Sequence, residues 1–137
     1  MASAAYELSL KKFMDADIDL LVGVIKVRLV RTSAYVFSQL HDFADDLPAA
    51  IVTDVTLGTK LTNAGSVGGV FDAADAVFTA VPSGAAIDAC VIYEDTAGAA
   101  STDPLILYLD GFSVVPNGGD ITLQWAAASP FIWKIAA

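Results

Sequence analysis

The stretch from Pro104 to Ile135 constrains the fold most tightly, because three alternating runs follow one another within it. Leu105, Leu107 and Leu109 alternate with Ile106, Tyr108 and Asp110. Ile121, Leu123 and Trp125 alternate with Thr122 and Gln124, and Phe131, Trp133 and Ile135 flank Lys134. A period of two is that of a strand, whose successive side chains point to opposite faces. Between the first two runs, Pro116-Asn117-Gly118-Gly119-Asp120 joins a fixed φ to residues that accept positive φ, so the chain can reverse tightly. These features predict three adjacent strands as the scaffold of a sheet.

The preceding residues add more strands and one helix. Tyr6, Leu10 and Phe13 or Met14 recur at helical spacing, which predicts a helix over 3–14, ended by a polar turn with Asp15, Asp17 and Asp19. Ile25, Val27 and Leu29 alternate with Lys26 and Arg28, the pattern of a strand buried on one side. Residues 33–40 read as a helical turn or an extended loop, and residues 41–48 as an acidic punctuated loop. Alternation at Ile51, Thr53, Val55 and Leu57, and again at Val77, Thr79 and Val81, predicts two further strands. Residues 60–70 read as a glycine-rich turn. Residues 86–94 are apolar on both faces apart from Asp88, as in a central strand. About seven short strands after a helix, without βαβ alternation, predict a mainly β fold: an antiparallel, jelly-roll-like β-sandwich in one domain. In that domain residues 1–20 form the helical segment with its acidic turn, and residues 21–137 form the sandwich.

Bulk properties bear on partners. Of 137 residues, 55% are hydrophobic and only 17% charged, too few charges to cover a small domain well. This favours a homo-oligomer or an assembly subunit. The 16 acidic residues outnumber the 7 basic ones, and a net charge of −9 argues against nucleic acid as a ligand. Four of the basic residues lie between Lys11 and Arg28, local positive charge that reads either as ordinary solvation or as a docking surface for an acidic partner. Residues 1–5 lack the basic start of a signal peptide. No run approaches the roughly 18 apolar residues of a membrane span, so the expectation is a protein made in a cytoplasm.

No motif for catalysis, cofactor or metal emerges. The single Cys90 lies in an apolar run and reads as a buried, inert thiol. Asp15, Asp17 and Asp19 have the spacing that opens a calcium loop, but Leu20 replaces its glycine and Lys26 its bidentate glutamate. His41 beside Asp42 lacks any nucleophile context and reads as a loop hydrogen-bonder. Asp72 and Asp75 read as a solvated turn or a cation pair. Neither phosphate-loop nor dinucleotide spacing is present.

Several segments in order carry a family resemblance: Ile25-Lys26-Val27-Arg28-Leu29-Val30, residues 41–48 (HDFADDLP), residues 70–78 (VFDAADAVF), residues 89–96 (ACVIYEDT), Pro104-Leu105-Ile106 and residues 116–122 (PNGGDIT). Taken together they resemble a family of small tailed-bacteriophage virion proteins, over about Tyr6 to Ile135. Residues 125–130 (WAAASP) depart from it, being more apolar than the turn expected before the last strand. The resemblance implies a structural subunit of the virion, a capsid decoration or cement protein without catalytic residues, bound to a major capsid protein or other virion proteins as a homo-oligomer, a trimer being favoured. A neck, tail or fibre-attachment subunit and a carbohydrate-binding sandwich on the virion surface are the alternatives. The residues predicted to touch partners are Tyr6, Lys11, Phe13, Tyr35, Phe37, Phe43, Phe131 and Trp133.

Overall fold

A computed structural model describes residues 3–63, 69–126 and 132–134. Among the described residues, nine strands and one α-helix follow in the order β1 (Ser3–Ala5), α1 (Glu7–Met14), β2 (Ile25–Val30), β3 (Val55–Thr56), β4 (Val70–Phe71), β5 (Ala76–Phe78), β6 (Ile87–Glu94), β7 (Leu105–Val114), β8 (Ile121–Leu123) and β9 (Trp133–Lys134). One five-stranded antiparallel sheet has the order β1-β7-β6-β2-β3, and two antiparallel ribbons, β4-β9 and β5-β8, make a second layer. Ile25, Val27, Leu29, Cys90, Ile92, Leu107 and Leu109 from the sheet share one core with Phe71, Ala76, Phe78, Ile121 and Leu123 from the ribbons. The fold is thus mainly β, two packed antiparallel layers with a short helix, as the alternation predicts. The predicted jelly roll differs in detail, since five strands face two separate ribbons.

β6 is the central strand its composition predicts. Ile87, Ala89, Cys90, Val91 and Ile92 are all fully buried, because both faces of the sheet are covered. The second face carries its own cluster, in which Val30, Ala89, Val91, Tyr93, Leu105 and Tyr108 lie under Tyr35, Ala44 and Leu47 from the segment after β2. β2 is therefore not open on one side: Val30 is buried and Lys26 and Arg28 are half-buried. Burial pushes the Cys90 thiol up to about 12, as an inert buried thiol requires.

Four expectations are corrected. The strands after Pro104 are real, but they are not neighbours: β7 pairs with β6 and β1, β8 with β5, and β9 with β4. The Pro116–Asp120 turn carries the chain from one layer to the other and locks onto Val81, whose N–H donates to Gly119 O (2.9 Å) and whose carbonyl accepts from Gly118 N (2.9 Å). Gly118 has φ +89°, the left-handed conformation the turn needs. The helix begins at Glu7, because Tyr6 is extended and Ser3–Ala5 pairs with Leu107–Leu109. α1 is held to the sheet by Ser9, whose hydroxyl donates to Tyr6 O (2.8 Å) and Ile106 O (3.2 Å), so Leu10 and Met14 point away from the core. The strand predicted from Ile51 shrinks to Val55–Thr56. The strand predicted at Val77, Thr79 and Val81 is instead Ala76–Phe78: pairing with Leu123 and Ile121 turns Ala76 and Phe78 inward and Val77 outward, and Val81 is buried beyond the strand's end.

Candidate functional site

The segment between β2 and β3 builds an aromatic layer on the second face. Ala34 N and Tyr35 N both donate to Arg31 O at 2.9 Å. The Thr32 N–H and hydroxyl donate to the Asp88 carboxylate at 2.8 and 2.5 Å, which lowers the Asp88 pKa. That turn drives Tyr35 inward, where its hydroxyl lies 2.8 Å from the Tyr6 hydroxyl and 2.9 Å from His41 Nδ1. Phe37 stacks on Tyr108 (centroids 4.9 Å apart) and meets Tyr6 edge-on (5.2 Å). Burial raises the phenol pKa of both Tyr6 and Tyr35, so both stay neutral over the working range. His41 takes Tyr35 as partner, not Asp42. The chain of polar groups ends inside the protein at Tyr6, which has no exposed surface.

A second cluster ties the next loop to the same face. Arg28 Nε and Nη2 donate to the Asp54 carboxylate (2.9–3.1 Å), Arg28 Nη1 donates to Pro48 O (3.1 Å), and the Tyr93 hydroxyl donates to Asp54 (2.6 Å). Burial raises the Tyr93 pKa, as does its bond to Asp54. The Arg28 guanidinium lies 5.7 Å from the Tyr93 ring centre. Beside them Lys26 pairs with Asp95 (2.6 Å), which holds the Asp95 carboxyl below its usual range. Lys11 pairs with Asp15, Lys12 with Asp17 (3.8 Å), Arg31 donates to Ala85 O (3.0 Å) and Lys60 to Gly23 O. Every described basic side chain thus has a partner within the chain, and the local positive charge seen in the sequence offers no free basic face.

Of the residues predicted to touch partners, Tyr6 and Tyr35 are interior and Phe37 is half-buried in their stack, so these rings hold the loop and present little outward. Phe43 is half-buried, its backbone bridged to Pro104. Phe13 is half-buried against Trp133 (5.8 Å), and Trp133 lines an open cavity of about 440 Å³ with Leu20, Phe71 and Val70. Lys11 is exposed. Phe131 lies outside the described residues. The aromatics were expected outside because rings at helix and loop positions serve contact and core alike; burial separates the two uses.

What the surface does present is aliphatic. Leu10 and Met14 are exposed, Met14 at 88%, and with Glu7 they fall at i, i+3 and i+7 on one stripe of α1. The Glu7 end is joined to Gln39 by a backbone bond (Glu7 N to Gln39 O, 3.0 Å) and a side-chain bond (2.8 Å), and the next residue, Leu40, is exposed. Leu21, Val22 and Val24 follow in the turn after α1, also exposed, with Asp19 accepting from Leu21 N and Val22 N. In the sequence Leu10 and Met14 carry only helical spacing together with Tyr6; Tyr6 lies outside the helix, and both side chains are exposed.

No protein-family model, curated protein or solved structure matches the chain. The site therefore stands on its own chemistry. Among the described residues, Asp42, Asp45 and Asp46 bring carboxylate oxygens within 4.8 Å of one another, all exposed, with Asp46 accepting from Asp42 N (2.9 Å). Asp75 accepts from Trp125 N (3.0 Å), and one Asp72 oxygen is buried without a hydrogen-bond partner. No described helix is long and apolar enough to cross a membrane.

Glu94 gives a pH signature. Burial raises its pKa, Asp103 and Asp19 add to the rise and Lys12 and Lys60 oppose it, and its Oε2 has no hydrogen-bond partner. A carboxyl with a raised folded pKa contributes stability below the ordinary carboxylate range and loses it as pH rises through the folded value. Glu94→Gln is therefore expected to raise the melting temperature at about pH 7 and to leave it unchanged near pH 3. A lower melting temperature at neutral pH would contradict this.

Proposed function

We propose that the chain is a structural subunit of a tailed-phage virion, a capsid decoration or cement protein that stabilises the head lattice. The observation that carries this reading is the pair of exposed aliphatics on α1, Leu10 and Met14, with Leu21, Val22 and Val24 exposed in the turn that follows. Exposed large aliphatic side chains on a short helix and in the turn after it fit a surface that is covered in use. A cement protein binds the assembled lattice and not its free subunits, so occupancy shifts the equilibrium toward the intact shell. Many weak contacts, multiplied by a trimeric or other homo-oligomeric state, become strong through effective concentration. The acidic surplus keeps subunits soluble before assembly and apart from packaged DNA.

The carbohydrate-binding alternative needs exposed, coplanar rings; Tyr35, Tyr93, Tyr108 and Trp125 are buried, which leaves half-buried Trp133 as the one tryptophan on an open cavity. Co-sedimentation of purified chain with heads that lack it tests the proposal. Saturable binding is expected, and Leu10→Lys with Met14→Lys is expected to weaken it at least about tenfold while leaving the far-UV spectrum intact. Absence of binding to heads would overturn the decoration role.

A further inference from the structure

The last half of β7 and the free side of β8 face each other across a groove of about 370 Å³ lined by Phe112, Ser113, Val114, Ile121, Thr122 and Leu123. Both strands have an open edge there. β1 covers β7 only at Leu107–Leu109, and β8 pairs only with β5; among the described residues no strand pairs with either edge facing the groove. A bulge at Gly111 (φ +89°) starts the open half: two steps along β6, Ile87 to Ala89, span four along β7, Val114 to Asp110. Phe112 and Val114 pack toward the core and Ile121 and Leu123 are buried, while Ser113 and Thr122 are exposed. The groove therefore offers an apolar floor, polar rims and two rows of backbone donors and acceptors, the requirements for adding a strand.

Charge selects the occupant. Asp120 lines the groove and half-buried Asp110 adjoins its start, whereas no described basic side chain lines it and all six of those are engaged elsewhere. A second copy of this chain, with a net charge of −9, brings the wrong sign. We propose that the groove between β7 and β8 binds an extended, basic segment of a different protein by strand addition. This surface is separate from the α1 stripe, so the inference goes beyond the virion reading and can fail without it.

The test uses a fluorescent peptide, acetyl-Lys-Val-Lys-Val-Thr-Val-Lys-amide, and its twin with glutamate for every lysine, against the full chain at low salt. Anisotropy is expected to show saturable binding of the basic peptide and at least about tenfold weaker binding of the acidic twin. Hydrogen exchange is expected to slow at residues 110–114 and 121–124 when the basic peptide is bound. Ser113→Lys with Thr122→Lys, both at exposed positions, is expected to abolish binding, and Ser113→Asp with Thr122→Asp to tighten it. Equal binding of the two peptides, no binding of the basic one, or protection confined to other segments would overturn the proposal, whatever the outcome with phage heads.

Discussion

Phe78→Ala is expected to destabilise the protein by about 3–5 kcal/mol, a large part of the stability of a domain this size. Phe78 is fully buried in β5, opposite Ile121 of β8, within the core where ribbons and sheet meet. Its ring fills space between two layers, each held by its own hydrogen bonds, so neither collapses readily into the void and the cavity cost adds to the lost transfer energy. Urea titration should show the midpoint falling with an unchanged slope. Val77→Ala, one residue away on the exposed face, should stay within about 0.5 kcal/mol. A loss below about 1 kcal/mol for Phe78→Ala would contradict the register of β5 and the layered core.

Arg28→Met is the second large effect, at about 3 kcal/mol, because it strands the Asp54 carboxylate with the Tyr93 hydroxyl as its one remaining side-chain partner. The Arg28 and Asp54 side chains are only 18% and 10% exposed, so water replaces little of the lost interaction. The same change frees Pro48 O, loosening the loop that leads to β3. The double change Arg28→Met with Asp54→Leu should recover most of the loss, since an apolar pair of similar volume removes the desolvation penalty. Chemical denaturation of the single and double variants measures the coupling directly. If the two single losses simply add, Arg28 and Asp54 do not act as a pair.

The sequence made strand existence legible where alternation was long. Residues 86–94 read as a strand from apolar content and 105–110 from alternation, although β7 runs on to Val114, and the central place of β6 follows from its two apolar faces. Strand partners were not legible. The Pro116–Asp120 segment has the composition of a hairpin turn, yet nothing in it records that Val81, far away in sequence, supplies its hydrogen bonds. Short elements failed for a related reason: in β5, Ala76-Val77-Phe78 can face either way by period, and pairing with Ile121 and Leu123 chooses. At the candidate site the aromatics stood out in the sequence, but Tyr6 and Tyr35 are consumed by a mutual hydrogen bond inside the fold. The aliphatics that remain outside, Leu10 and Met14, showed in the sequence only as helical spacing, and β1 takes the first turn of the predicted helix.

The sandwich thus buries Tyr6, Tyr35 and the Arg28–Asp54 pair and leaves Leu10 and Met14 exposed. Cryo-electron microscopy of tailed-phage particles incubated with the purified chain tests the proposed role most directly. The account expects the sandwich at every equivalent position of the head lattice, with the Leu10 and Met14 face of α1 against the shell. Density confined to a single ring at the neck or tail, or particles without it, would contradict that.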